Sequence, residues 1–122
     1  TPAIELWVWE IVGLSAPFSI DKVAVASGSG TTASSGSTAT LSSNQEVAFG
    51  LIVAAAGVLF PGINWMTGGS GKTTHGDLGQ YQPLNTTAAV TSTAPITSGS
   101  WRAWVLTLMG TSQQVLMPQA VM

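Results

Sequence analysis

The stretch that decides the fold is residues 47–60, which read Val-Ala-Phe-Gly-Leu-Ile-Val-Ala-Ala-Ala-Gly-Val-Leu-Phe without one polar side chain. A helix that spans a membrane needs about 18 apolar residues or more, and Pro61-Gly62 ends this run too early. Its two glycines each disfavour a helix by roughly 1 kcal/mol, whereas its β-branched and aromatic residues favour a strand. The sequence therefore predicts a strand over residues 46–55 that is apolar on both faces, so both faces must be covered.

The composition describes a neutral, hydroxyl-rich chain of one domain. It has 122 residues and a mass of 12.4 kDa, which suits a single core. Only 7% of the residues are charged, with a net charge of −2, against about 25% charged residues in ordinary soluble domains. Little repulsion keeps copies apart, which favours a protein that lies against neighbours over a free cytosolic enzyme. Three basic residues cannot follow a phosphate backbone, so nucleic acid is not expected as a partner.

Cysteine usage and the first residues bear on the setting of the chain. There is no cysteine, which excludes a disulfide framework and thiolate metal sites. The first residues lack the basic, then apolar, then small-residue pattern of a signal peptide. Strand-like alternation begins by Ile4, and a domain seldom opens inside a strand. We therefore expect further protein upstream of Thr1.

Short stretches with a period of two predict further strands, and no stretch shows a helical period. Besides the long strand, the predicted strands cover residues 4–13, 21–26, 38–42, 63–67, 78–84, 88–93 and 101–109. The low-complexity run 27–37 is predicted as a flexible turn or linker, residues 94–100 as a turn, and residues 111–122 as a weakly patterned tail. The whole predicts an all-β, antiparallel sandwich or barrel over residues 1–110.

Three of the predicted strands carry large apolar side chains on both faces. An antiparallel sandwich normally presents a polar face to water, and several exposed indoles would form an adhesive patch. We expect the second face to be covered by an upstream part of the fold, by neighbouring copies or partner chains, or to form a ligand groove. The candidate interface residues are Trp7, Trp9, Ile11, Trp101 and Trp104.

An ordered set of short motifs runs along the predicted strands from Ile4 to Met109. It comprises Glu10-x-x-Gly13-Leu14, Asp21, Gly28-Ser29-Gly30, Ser34-Ser35-Gly36-Ser37, Glu46-Val47-Ala48-Phe49-Gly50, Gly62 to Trp65, Tyr81-Gln82 and Ser100-Trp101. This order resembles the C-terminal half of a jelly-roll-like β-sandwich module that recurs in bacterial secreted and surface proteins and in phage structural proteins. The module's usual N-terminal strands have no counterpart here. The resemblance implies a jelly-roll-like β-sandwich lacking its N-terminal strands and an extracellular or virion setting, and it carries no catalytic residues.

Motifs that suggest chemistry are incomplete in this sequence. Gly71-Lys72-Thr73 lacks the earlier glycine that a phosphate loop requires. His75 and Asp77 supply too few ligands for a metal site. A glycosidase needs two facing carboxylates, and the available pair, Glu10 and Glu46, is better explained by strand-end residues that accept backbone or hydroxyl hydrogen bonds. We therefore expect no enzyme, no cofactor and no bound metal.

Two functional hypotheses remain. The first is a non-enzymatic structural or interaction module of an extracellular or virion assembly, such as a phage decoration, fibre or tail component or a bacterial surface or filament protein. Its partners would be copies of itself or other structural proteins, with no membrane span. The second is a carbohydrate-binding module with glycans as ligands, because aligned indole rings can stack on sugars. The candidate platform for sugar stacking is Trp7, Trp9 and Trp65.

Overall fold

The computed structural model describes residues 6, 8–12, 18–67, 72–73, 75–110 and 117–120. Six strands and no helix occur among these residues: β1 (Trp9–Val12), β2 (Ser19–Ser34), β3 (Glu46–Ala54), β4 (Leu78–Leu84), β5 (Thr93–Met109) and β6 (Met117–Ala120). The main sheet is open and antiparallel, in the order β2-β5-β3-β4, and β1 pairs with β6 in a separate two-stranded sheet. The prediction of an all-β, antiparallel fold is thus confirmed. No helix of the described residues is long and apolar enough to cross a membrane.

The central strand β5 sets the arrangement of the main sheet. Both β2 and β3 pair with it in antiparallel fashion, one along each side. β2 and β3 therefore run in the same direction, and both begin beside Met109, where Ser19 and Glu46 are its partners. As a result, residues that open two separate strands meet at one end of the sheet.

Irregular segments pack on one face of the main sheet, which we call the covered face. Alternate residues of β3, from Glu46 to Ala54, are fully buried there. This burial explains why the 46–55 stretch is apolar on the face that points to the cover, and leaves its other face to be explained. The segments contribute side chains to two core clusters, whose buried members are Ala33, Ile52, Ala54, Val58, Leu78, Ala94, Ile96 and Ala103 in one, and Leu41, Ala48, Trp65, Val90 and Val105 in the other.

Gln80 joins the irregular cover to the sheet. It lies fully buried on β4, where its Oε1 accepts a hydrogen bond from Gly62 N at 3.0 Å. Its Nε2 donates to Ser92 Oγ at 2.9 Å and to Thr93 O at 3.1 Å. Gly50 faces Gln80 across the β3–β4 ladder, and a Cβ at this position would lie 2.1 Å from Ser92 Oγ. Glycine is therefore the residue that lets the cover approach the sheet this closely.

Four predicted strands are confirmed and three are wrong. Residues 46–55 and 78–84 correspond to β3 and β4, and residues 21–26 and 101–109 lie within the longer strands β2 and β5. Residues 38–42, 63–67 and 88–92 belong to the cover instead, apart from an isolated bridge between Met66 and Tyr81. Hydrogen bonds such as Thr38 N to Val90 O (3.0 Å) join these segments without a regular ladder.

The predicted flexible run at 27–37 and the predicted turn at 94–100 are wrong over most of their length. Residues 27–34 lie in β2 and residues 94–100 lie in β5, and the two stretches pair with each other. The register shifts between Gly30 and Thr32, where Gly30 adopts a φ of 135° that a side chain would strain. Serine and glycine thus form a strand here because a partner strand is present along the whole run.

An early and a late segment of the chain pair in the small sheet. The predicted strand 4–13 lies partly outside the described residues, and its described part contains β1. β6 comes from the weakly patterned tail and pairs with β1, from Trp9↔Ala120 to Val12↔Met117. The tail therefore contributes a strand that its sequence pattern does not predict.

Candidate docking surface

The second face of the main sheet, which we call the open face, is apolar across three strands. The register places Val23, Leu106, Phe49 and Tyr81 in one row across the sheet, and it places Val25, Trp104 and Leu51 in the next. Cross-strand neighbours of this kind lie close enough for their side chains to pack. The rows therefore form one continuous apolar surface.

This surface becomes more exposed toward the β2 edge. Phe49 and Leu51 on β3 and Trp104 on β5 are half-buried, whereas Val23 and Val25 on β2 are 59% and 49% exposed. Irregular segments cover the other face of the sheet, whereas this face is covered only in part, since Val47 is fully buried and Val53 is 38% exposed. The apolar pattern on both faces of β3 is thus only partly explained by packing within the chain.

Trp9 covers one part of the open face. Its ring centroid lies 5.2 Å from that of Phe49 with the planes inclined by 30°, and 6.3 Å from that of Tyr81 in an edge-on arrangement. Such contacts add about 0.5–1.5 kcal/mol to the burial of the rings. β1 therefore lies over the β3–β4 side of the face and leaves the β5–β2 side open.

A groove of about 400 Å³ lies between β1 and the sheet. Its walls include Leu6 and Trp9 on one side, and the sheet contributes Val23, Phe49, Leu51, Trp104 and Leu106. No charged side chain lines the groove within the described part of the chain. A surface of this chemistry can bury apolar groups but offers no general acid, base or nucleophile.

Arg102 marks the boundary of the apolar rows. Its guanidinium carbon lies 5.5 Å from the centroid of the Trp104 ring, which is the distance of a cation–π contact. Arg102 and Val53 pair across β5 and β3 in the row that follows Trp104 and Leu51. The cation thus lies at the edge of the surface rather than within it.

The predicted interface residues do not share one face. Trp9 and Trp104 both contribute to the open face, and Ile11 is half-buried on β1. Trp101 instead packs against the core cluster of the covered face, where its ring leaves no space for a Cβ at Gly28. Trp7 lies outside the described residues. The sequence indicated an interface formed mainly by tryptophan. The open face instead consists largely of valines and leucines from three strands.

The residues proposed for sugar stacking are not brought together either. Trp65 is buried beneath the cover, and its Nε1 donates a hydrogen bond to Thr91 O at 3.2 Å. Trp9 uses its ring against Phe49 and Tyr81 on the opposite side of the sheet. Because these two indoles are separated by the main sheet, they cannot form one platform.

The structure brings together two carboxyl groups that sequence spacing keeps apart. Asp21 lies at the register shift near the start of β2, and Glu46 is the first residue of β3. Asp21 Oδ1 accepts hydrogen bonds from Ser42 Oγ at 2.6 Å and Lys22 Nζ at 2.9 Å, and its Oδ2 accepts one from Ser42 N at 2.8 Å. Glu46 is fully buried, and its Oε2 accepts a hydrogen bond from Ser43 N at 3.0 Å.

The pKa values of the two carboxyl groups are shifted in opposite directions. Burial raises the pKa of Asp21, but hydrogen bonds from Ser42 and Lys22 outweigh this effect and hold that pKa well below its ordinary value. Burial raises the pKa of Glu46, the Thr107 hydroxyl opposes this shift, and the hydrogen bond to Asp21 adds to it. Where the two carboxyl groups meet, the pKa of Asp21 is thus lowered and that of Glu46 raised, so that Glu46 holds its proton more tightly than Asp21 does.

Three further residues are candidates for chemistry in the sequence. Glu10 is exposed on β1, and Asp77 Oδ1 accepts a hydrogen bond from Ala54 N at 3.1 Å. His75 is exposed in the loop before Asp77. No group of three side chains that could bind a metal ion occurs within the described ranges.

Comparisons of the chain with protein families, with curated proteins and with solved structures find no match.

Proposed function

We propose that this chain is a non-enzymatic structural or interaction module of an extracellular or virion assembly, which docks through the open face. The observation that carries the proposal is the set of apolar rows across β2, β5 and β3, because they remain exposed where Trp9 does not cover them. In this proposal the main sheet forms one layer of a jelly-roll-like β-sandwich. A neighbouring copy or another structural protein supplies the second layer.

The energetics of burial support docking over exposure. Removal of apolar surface from water is worth roughly 25 cal/mol per Å², and large apolar patches on soluble proteins mark interaction sites. Val23 and Val25 alone present two branched side chains that are about half exposed or more. A partner that covers them together with Trp104 and Leu106 gains this free energy without desolvating a charge.

The charge of the chain also supports a structural partner. With three basic and five acidic residues in 122, long-range repulsion between copies is small. Arg102 lies over the ring of Trp104, and the indole can stabilise its charge there. A closely packed assembly of identical or similar chains is therefore compatible with the electrostatics.

The proposal can be tested by a lysine substitution on the open face, compared with a lysine substitution at an exposed apolar position outside that face. Val53 is 38% exposed on the open face, and Ile63 is 90% exposed in the loop before Trp65. We expect light scattering to show that the wild type and Ile63→Lys associate as the concentration rises, and that Val53→Lys associates at least about tenfold more weakly, because a lysine resists desolvation. A monomeric wild type, or an equal loss of association in both variants, would overturn the proposal.

The carbohydrate-binding alternative has weaker support because Trp9 and Trp65 lie on opposite sides of the main sheet. It predicts a shift in tryptophan fluorescence when soluble polysaccharides are added to the protein. We expect no such shift. A saturable shift that Trp104→Phe abolishes would favour glycans as the ligand of the open face.

A further inference from the structure

β2 is an edge strand with a regular and uncharged stretch. In the part of the chain that the structure describes, it pairs with β5 on one side and with no strand on the other. Between its two register shifts, residues 23–30 pair with β5 without interruption, from Val23↔Leu106 to Gly30↔Gly99. This run reads Val-Ala-Val-Ala-Ser-Gly-Ser-Gly and contains no charge and no proline. On its outer side, the backbone of alternate residues presents N–H and C=O groups that a further strand could pair with.

The opposite edge of the sheet differs from this one. β4 contains Pro83, and isolated bridges from Met66 to Tyr81 and from Lys72 to Leu78 occupy part of its outer side. Proline, charged residues and covering loops are the usual means by which proteins prevent an edge from pairing with other chains. Among the residues that the structure describes, the β4 edge is thus protected, and residues 23–30 of β2 carry no proline, charge or covering loop.

We infer that residues 23–30 of β2 form a strand-pairing site whose partner is the same stretch of a second copy of this chain, aligned antiparallel. The inference rests on the proposed function, since it names the partner and the mode of association. Pairing of this kind joins two main sheets into one and satisfies the outer backbone groups of both strands.

Two features of the described residues favour a second copy over a different partner. First, a twofold axis that passes through Ser27 perpendicular to the sheet places the open faces of both copies on the same side, so that Val23 and Val25 of each copy extend one apolar surface. Second, Asp21 and Lys22 lie just before the run and bond to each other at 2.9 Å. In an antiparallel pair these groups lie at opposite ends, so like charges do not face each other.

A single cysteine tests the geometry, because the natural sequence contains none. Ser27 is exposed in the middle of the run, and Ala89 is exposed in the cover. We expect Ser27→Cys to cross-link into covalent dimers with a short bismaleimide, and Ala89→Cys to react without forming dimers. Equal dimer yields from both cysteines, or none from Ser27→Cys, would overturn the inference.

Hydrogen exchange separates edge pairing from face docking. At concentrations where the wild type associates, we expect alternate amides of residues 23–30 to exchange at least about tenfold more slowly than in the monomer. We expect this protection to disappear in Ser27→Lys. If association persists without protection of these amides, the edge site is refuted while docking through the open face stands. If Ser27→Lys dissociates the protein and Val53→Lys does not, the open-face proposal fails and the edge site stands.

Discussion

The carboxyl groups of Asp21 and Glu46 meet at the end of the main sheet where β2 and β3 begin, and each shifts the pKa of the other. Hydrogen bonds from Ser42 and Lys22 stabilise the ionised form of Asp21. Burial raises the pKa of Glu46. The pair therefore connects both strands and the loop that carries Ser42 and Ser43.

This arrangement predicts that the protein becomes less stable as the pH rises. The raised pKa of Glu46 means that the folded state binds its proton more tightly than the unfolded state, whose value is 4.5. This contribution is complete below that value and is lost as the pH rises through the raised pKa. The lowered pKa of Asp21 stabilises the fold above its ordinary value of 3.8 and is lost in stronger acid. The pair is thus most favourable in mild acid.

Glu46→Gln should remove the alkaline part of this dependence. The neutral amide can still donate a hydrogen bond to Asp21, and it has no proton to lose. Urea unfolding measures the free energy of unfolding at each pH. Between about pH 5 and about pH 8, we expect this free energy to fall by on the order of 1 kcal/mol in the wild type and to stay constant in the variant. Glu10→Gln, at an exposed position, serves as the control and should follow the wild type. Parallel curves for the wild type and Glu46→Gln would show that Glu46 is not protonated in the fold.

Gly50→Ala should destabilise the protein by forcing the cover away from the sheet. The new Cβ would lie 2.1 Å from Ser92 Oγ and 2.8 Å from Ser92 Cβ, and overpacking of this kind costs about 1–3 kcal/mol or more. Gly99→Ala is the matched control within β5, since its Cβ meets nothing closer than 3.4 Å. Chemical denaturation measures both variants. Equal stability of the two would mean that the cover does not approach the sheet at Gly50.

Gln80→Leu should cost about 2–3 kcal/mol despite its similar volume and greater hydrophobicity. The change leaves the buried Gly62 N without the acceptor that Gln80 Oε1 provides at 3.0 Å, and unpaired buried groups are expensive. Gln82→Leu tests the same substitution at a half-buried position of β4 and should change the stability by less than about 1 kcal/mol. The midpoint of thermal unfolding distinguishes the two variants. If Gln80→Leu is as stable as the wild type, the hydrogen bonds of Gln80 do not hold the cover on the sheet.

Sequence pattern predicts the strands that hydrophobic burial determines, and it fails where pairing determines them. β3 and β4 are predicted with their approximate ends because their side chains point into the core. The outer half of β2 is serine and glycine, so only the presence of β5 beside it makes it a strand. The cover segments show strand-like patterns, yet they have too few ladder partners to form strands.

The candidate site is predictable in part for the same reason. Alternation along β5 correctly separates Trp101 from Trp104, and it indicates that both faces of β3 need cover. Spacing alone cannot show that Trp101 and Trp65 lie under the irregular cover, or that Asp21 and Glu46 meet. That meeting follows from the order of strands, because β2 and β3 are both antiparallel to β5 and begin at the same end of it.

The position of β5 in the sheet also constrains how the protein is made. β2 and β3 emerge from the ribosome well before the strand that lies between them, and neither pairs with the other in the final sheet. Until β5 follows, β2 has no partner strand and β3 can pair only with β4, a state that is prone to aggregation. A chain truncated before residue 93 should therefore aggregate more than the chain that includes β5.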